Sequence, residues 1–165
     1  MKILLSLFAA VLLVTGCGQS GSPAKIEVGG AAPAFAGVDL DGQSFALADF
    51  VGKPVIIRFW STECKYCRAD TPVFNKLYAD FHEQGLQIAY INTLSSRAQV
   101  EDFVEELAIG FPVLMDKDGA IAQSYQIKLV PQTIVIDKRH TIVAAILGGV
   151  SEQEIVDLLR EDLLK

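Results

Sequence analysis

Two cysteines separated by two residues, Cys64-Lys65-Tyr66-Cys67, stand shortly after the run Val55-Ile56-Ile57-Arg58-Phe59-Trp60 and at the head of a segment with helical periodicity. The run is rich in β-branched and aromatic residues and reads as a buried strand. After it, Val73, Leu77 and Phe81 recur at the spacing of one helix face. A chain with this pattern must deliver both thiols to a strand-to-helix junction, which restricts the fold to architectures in which a buried strand runs directly into a helix.

The junction also dictates chemistry. A sulfur in the first helical turn faces backbone N–H groups that have no partner within the helix, together with the positive end of the helix dipole, and both favour thiolate over thiol. Cys64 is therefore the expected nucleophile. Cys67 lies one turn deeper on the same face, within reach of a small disulfide ring, and is the expected resolving thiol. Lys65 and Arg58 add positive charge nearby and Glu63 opposes them, so the Cys64 thiol is expected to be more acidic than a free cysteine.

The amino terminus reads as a separate unit. Lys2 precedes a largely apolar stretch of twelve residues, 3–14, too short to span a bilayer but suited to the core of a signal peptide. It ends in Val14-Thr15-Gly16-Cys17, which resembles the lipobox of bacterial lipoproteins, where cleavage leaves the cysteine as a lipid-modified amino terminus. That resemblance implies an exported protein, lipid-anchored through Cys17 to a bacterial membrane and facing the periplasm or another extracytoplasmic space. An ordinary secretory signal with an incidental cysteine is the alternative.

The expected division is a lipoprotein signal peptide at 1–16, a lipidated cysteine with a flexible tether at 17–33, and one domain at 34–165. The small and polar Gly18 to Ala24 supplies the tether. The chain's 165 residues and 51% hydrophobic composition suffice for a single substantial core. Removal of residues 1–16 takes away Lys2, leaving 13 basic against 20 acidic residues and a net charge of −7. Such a balance argues against nucleic acid and against electrostatic membrane binding. An exported compartment is also where disulfides persist, so two remaining cysteines read as a redox pair. A purely structural bridge this short would close too little chain to stabilise much.

Along the domain, Ala34-Phe35 and Ser44-Phe45 flank the turn Asp41-Gly42 and predict a short hairpin. Strand is expected over Val55 to Trp60, helix from Cys64 to about His82, and strand over Gln87 to Asn92. An amphipathic helix follows over Gln99 to Ala108, capped by Ser95 or Ser96. Val113 to Met115, Gln132 to Ile136 and Thr141 to Leu147 supply further strands, and Ile155, Leu158 and Leu159 mark a closing helix. The order fits an α/β fold, a central mixed sheet flanked by helices on both faces.

These residues resemble the thioredoxin superfamily, and within it the TlpA/ResA-like membrane-anchored thiol-disulfide oxidoreductases, a redoxin/AhpC-TSA-like group. The resemblance covers about residues 30–165. It rests on Phe59-Trp60 ahead of the first cysteine, the Cys-x-x-Cys pair, Pro72 five residues after the second cysteine, and Val130-Pro131-Gln132-Thr133 before a strand. It implies a thioredoxin-like fold with an N-terminal hairpin and a central strand-helix insertion, assigned to 94–108. It also implies that Pro131 is cis beside the cysteines, an isomer that costs a proline only about 0.5–1 kcal/mol. An ordinary trans proline starting a strand is the alternative.

From the same resemblance, Val130 and Pro131 are expected to form the edge for a substrate strand, Lys65 and Tyr66 to meet the substrate, and Asp70 to shuttle the Cys67 proton. Trp60 is expected to border the site as a substrate contact, with a core aromatic as the alternative. The alternative for Asp70 is an exposed carboxylate favourable to the helix dipole. Departures from the pattern are Arg58 where thioredoxins carry a buried acid, with Asp70 or Glu63 as its expected partner, Glu63 where relatives often have tryptophan, and no proline between the cysteines. The implied activity is disulfide exchange with other proteins, without a cofactor, by a monomer. Implied partners are protein thiols and disulfides, with apocytochrome c thiols among them in the reductive direction, and a membrane thiol reductant. Lys65-Tyr66 between the cysteines leaves oxidant and reductant both open.

Two other readings stay open. Thr62 near Cys64 suggests a peroxiredoxin-like thiol peroxidase, although the threonine of that group sits one residue further from its cysteine. The thiols alone would also suit a copper- or haem-delivery module. Asp116-Lys117-Asp118-Gly119 resembles the start of a calcium loop but lacks the later ligands and is read as a turn, so no metal site is expected. His82 and His140 are isolated in sequence.

Overall fold

The structure, a computed structural model, describes residues 26–164. The expected signal segment and Cys17 lie outside the described residues. In chain order the elements are β1 (Ala36–Val38), β2 (Ser44–Ala46), a 3-10 turn (Leu47–Phe50), β3 (Val55–Trp60), α1 (Lys65–Phe81), β4 (Gln87–Asn92), α2 (Arg97–Glu106), β5 (Val113–Met115), α3 (Ala120–Ser124), β6 (Gln132–Ile136), β7 (Ile142–Leu147), α4 (Glu152–Leu158) and α5 (Arg160–Leu163).

Every residue of β3 is buried, and a strand buried on both faces belongs at the centre of a sheet covered on both sides. The sheet order is β5-β4-β3-β6-β7. β4 is parallel to β3 and β5 to β4, whereas β6 runs antiparallel to β3 and β7 antiparallel to β6. β1 and β2 form the expected small antiparallel hairpin. The mixed sheet and its flanking helices are those expected of a thioredoxin-like fold.

Period-two alternation divides β3 between two cores. Ile56 and Trp60 join Phe74 and Leu77 of α1, Phe103 of α2 and Ile155 of α4 on one face. Val55, Ile57 and Phe59 join Phe35, Phe45, Leu47 and Tyr125 on the other, beneath the hairpin. Arg58 shares the parity of Ile56 and Trp60, so its side chain enters the α1 face. There it lies level with Tyr90 of β4 and Thr133 of β6.

Several expected boundaries shift for local reasons. α2 starts at Arg97, two residues before the expected Gln99, because Ser96 and Gln99 form a reciprocal capping box. The stretch 94–108 contributes this helix alone, and the strand of the insertion is β5. α3 is not legible as periodicity because it has only five residues. It is nucleated by Asp116, whose carboxylate accepts the N–H groups of Ile121 (3.1 Å) and Ala122 (2.8 Å), which accounts for the Asp-rich motif as a helix-capping turn.

The tether boundary at 33 falls too late. Gly29 donates its N–H to the Ile142 carbonyl (2.8 Å), Ile142 returns one to Gly30 (2.9 Å), and Ala32 donates to His140 (2.9 Å). This chain segment covers the start of edge strand β7, whose outward backbone groups need partners.

α2 is held to the molecule by Phe103, whose ring lies 4.4 Å from that of Trp60 and carries the Arg68 guanidinium 4.8 Å from its centroid. Phe103→Ala should lower unfolding stability by about 3–5 kcal/mol in a denaturant titration. Leu94→Ala, at a side chain 79% exposed, should change it by less than about 0.5 kcal/mol.

Candidate active site

β3 ends at Trp60, and after three further residues the chain reaches Cys64, the cap of α1. Cys64 donates its N–H to the Ser61 carbonyl (3.2 Å) and occupies the N-cap position, where its sulfur accepts the N–H of Cys67 at 3.2 Å. The two cysteines form a disulfide, with Cα atoms 5.2 Å apart. Cys64 is half-buried, while Cys67 is only 2% exposed. An incoming group can therefore reach the Cys64 sulfur, and Cys67 is reached through Cys64. The helix-end N–H that caps the sulfur is the group that would stabilise a thiolate there.

The loop before Cys64 is fixed from β4. Ser95 Oγ accepts the N–H of Thr62 and pairs with the Thr62 hydroxyl, each at 3.0 Å. Asn92 holds Ser95 in turn, its Oδ1 accepting the Ser95 N–H (2.9 Å) and its amide nitrogen donating to the hydroxyl (3.2 Å). The sequence marks Ser95 only as a candidate helix cap. Its service to the cysteine loop depends on a parallel strand neighbour, which local pattern does not reveal.

The Val130–Pro131 peptide bond is cis. Gln132 pairs with Phe59, which places Pro131 at the end of the sheet where the Cys64 loop emerges. Pro131 is buried and Val130 half-buried, while Leu129 beside them is 64% exposed. Lys65 and Tyr66 both face solvent over the disulfide turn, the Lys65 ammonium 5.0 Å from the Tyr66 ring centroid. Trp60 corrects the expectation made for it. It is completely buried between Tyr90 and Phe103, so it forms the floor beneath the site and presents no surface to a substrate.

Asp70 is not the exposed dipole partner; it is buried, and it forms an ion pair with Arg58 through Oδ2. Glu63, the other expected partner, is exposed. Arg58 also donates from Nη1 to Thr133 Oγ1 (2.6 Å) and to the Gly148 carbonyl (3.0 Å), with its guanidinium carbon 5.1 Å from the Phe74 ring centroid. Gly148 donates its own N–H to the Pro131 carbonyl (2.8 Å) and holds φ at +103°, a conformation that favours glycine. Burial pushes the Asp70 carboxyl above the ordinary carboxylate range, and the charge and hydrogen bond of Arg58 oppose part of that rise. Asp70 Oδ1 is left without a hydrogen-bond partner, one helical turn from Cys67.

Residues 28–145 match the AhpC/TSA family. The thiol-disulfide oxidoreductase ResA of Bacillus thuringiensis subsp. konkukian is 32% identical over 164 residues, covering 94% of this chain and 95% of that one. The ResA of Geobacillus kaustophilus is 32% identical over 153 residues, covering 93% and 88%. Among solved structures, the thioredoxin domain of a thiol-disulfide oxidoreductase from Bacteroides vulgatus superposes with a TM-score of 0.74 at 30% identity, covering 84% of this chain and 99% of that domain. A reachable sulfur bonded to a sheltered one, on a scaffold shared with these proteins, is equipment for thiol-disulfide exchange. The chain belongs to the AhpC/TSA family, as a ResA-like thiol-disulfide oxidoreductase of the thioredoxin superfamily.

Proposed function

We propose that this protein reduces disulfides in other proteins outside the cytoplasm, held to a membrane by lipid on Cys17, with apocytochrome c cysteines among its substrates. The observation that carries the exchange reading is the unequal exposure of the two sulfurs at the mouth of α1. The compartment and the anchor are supported by the signal-like residues 1–16 and the lipobox pattern ending at Cys17. The acceptor and the direction are supported by the likeness to ResA proteins.

In the proposed cycle the Cys64 thiolate attacks one sulfur of the substrate disulfide. A Cys64–substrate S–S bond forms, the substrate bond breaks, and the leaving thiolate takes up a proton. Cys67, deprotonated with Asp70 Oδ1 as acceptor, then attacks the Cys64 sulfur, forming the Cys64–Cys67 disulfide and releasing the second substrate thiolate. Two electrons pass from the protein dithiol to the substrate, and a membrane thiol reductant restores the dithiol. The Val130–Pro131 edge, with Lys65 and Tyr66 opposite, receives the extended substrate segment. No cofactor enters the cycle.

Two rivals are less well supported. The hydroxyl that a peroxidase would turn toward Cys64 is 3.0 Å from Ser95 Oγ at Thr62, so peroxide consumption by the reduced protein should be no faster than for a Cys64→Ser variant. A copper module would draw a histidine to the thiols. His140 lies in the β6–β7 turn, at the end of the sheet opposite Pro131.

Titration of the reduced protein by the pH dependence of iodoacetamide labelling should place the Cys64 pKa below about 8.5, the value of free cysteine. A value at or above that figure would remove the helix-end activation. Cys67→Ser should accumulate mixed disulfides with extracytoplasmic proteins, whereas Cys64→Ser should lose insulin-disulfide reduction and trap none. Equal trapping by both variants would overturn the assigned roles.

A further inference from the structure

We propose that Arg58 is a positioning residue of the redox centre, a buried cation that fixes the Asp70 carboxylate on α1 and the Pro131 ridge at the head of β6 in one register. The inference rests on the exchange function proposed above and adds the element that keeps its parts aligned. Arg58 is fully buried on β3, the central strand of the sheet. From there its fork reaches three other elements: α1 through Asp70, β6 through Thr133 Oγ1 (2.6 Å), and the β7–α4 connection through the Gly148 carbonyl (3.0 Å). Gly148 passes the restraint to the Pro131 carbonyl at 2.8 Å. A continuous polar chain thus joins the helix bearing the cysteines to the ridge beside them, and it runs through one guanidinium and the Gly148 backbone.

Arginine suits this place because a planar fork can satisfy several acceptors at fixed angles, which an ammonium cannot. The groups around Asp70 are few. Arg58 faces it from β3, Tyr90 acts on it from β4, and the β7–α4 connection supplies the Val150 backbone N–H and Gly149, where an added methyl group would make an ordinary contact 3.7 Å from Asp70 Oδ2. Cys67 and Thr71 flank it on α1 itself. Burial keeps the Tyr90 hydroxyl neutral, so Arg58 is the charged group that balances Asp70.

The test compares the full-length protein with Arg58→Met, Arg58→Lys and the double variant Arg58→Met/Asp70→Asn. The readouts are carbon-detected NMR titration of the Asp70 carboxyl and the KM and kcat for insulin reduction, with dithiothreitol as electron donor. In Arg58→Met the carboxyl loses the charge and the hydrogen bond of Arg58, keeping only the backbone N–H groups of Val150 and Asp70 to hold it down, and should titrate higher, and the KM should rise several-fold as the ridge loosens. Arg58→Lys should return the titration toward that of the unaltered protein, since it keeps the charge, while the KM stays raised, since one ammonium cannot span Thr133 and Gly148. Unchanged titration and KM in Arg58→Met would overturn the proposal, as would a KM fully restored by lysine. If Arg58→Met does not fold, the uncharged double variant decides: a KM as high as expected for the single change supports the positioning role, and an unaltered KM overturns it. Failure of the exchange function would appear separately, as absence of insulin reduction in the unaltered protein while the NMR titration still reports on the Arg58–Asp70 pair.

Discussion

Burial of β3 on both faces is the constraint from which the rest of the molecule follows. With no solvent-facing side along the strand, chemistry that needs water and a partner chain is displaced to its carboxyl end, the usual place for sites in open α/β sheets. The Cys64 loop leaves from that end. The antiparallel register of β6 brings Pro131 to the same end, since Gln132 pairs with Phe59. The parallel neighbour β4 brings Asn92, level with Trp60, and hence Ser95 to brace the loop. One strand's burial therefore gathers three separate stretches of sequence into a single site.

The same burial makes Arg58 costly. A guanidinium removed from water loses hydration that a neighbouring carboxylate repays only in part, and buried ion pairs often contribute little net stability. Two of the polar atoms involved, Arg58 Nε and Asp70 Oδ1, have no hydrogen-bond partner at all. A pair retained on stability grounds would be better satisfied. In the proposed cycle its value lies in its position one helical turn from Cys67, where the unsatisfied Asp70 Oδ1 would accept the Cys67 proton.

Much of this is legible in the sequence because it is local. The six residues of β3, the helical spacing after Cys64 and the turn residues between strands each report on their own neighbourhood, and the strands 87–92, 113–115 and 132–136 follow the expected bounds. What escapes is non-local or too short. Ser95, Thr133 and Gly148 acquire their roles by meeting residues far away in the chain, and nothing in their own surroundings marks them. Trp60 misleads for a related reason: its nearness to Cys64 in sequence suggests a surface contact, whereas period-two alternation sends it inward with Ile56. Asp70 shows the opposite case, since its spacing from Cys67 gives the helix face and Arg58 is already an expected partner, while the fold decides between Asp70 and Glu63.

The division of labour between the sulfurs also follows from geometry more than from residue type. The two cysteines differ by one helical turn, and that turn separates a capping position at the helix mouth from a position inside the core that holds Phe74 and Trp60. In the proposed cycle a substrate disulfide attacked by Cys64 would then be bonded to the sulfur nearest Cys67, so the second thiol would need little movement to complete the exchange. Moving either cysteine by one residue would turn it about 100° around the helix, taking the sulfur off the shared face. The two-residue spacing is thus fixed by the helix, while the residues between the cysteines, Lys65 and Tyr66, face solvent.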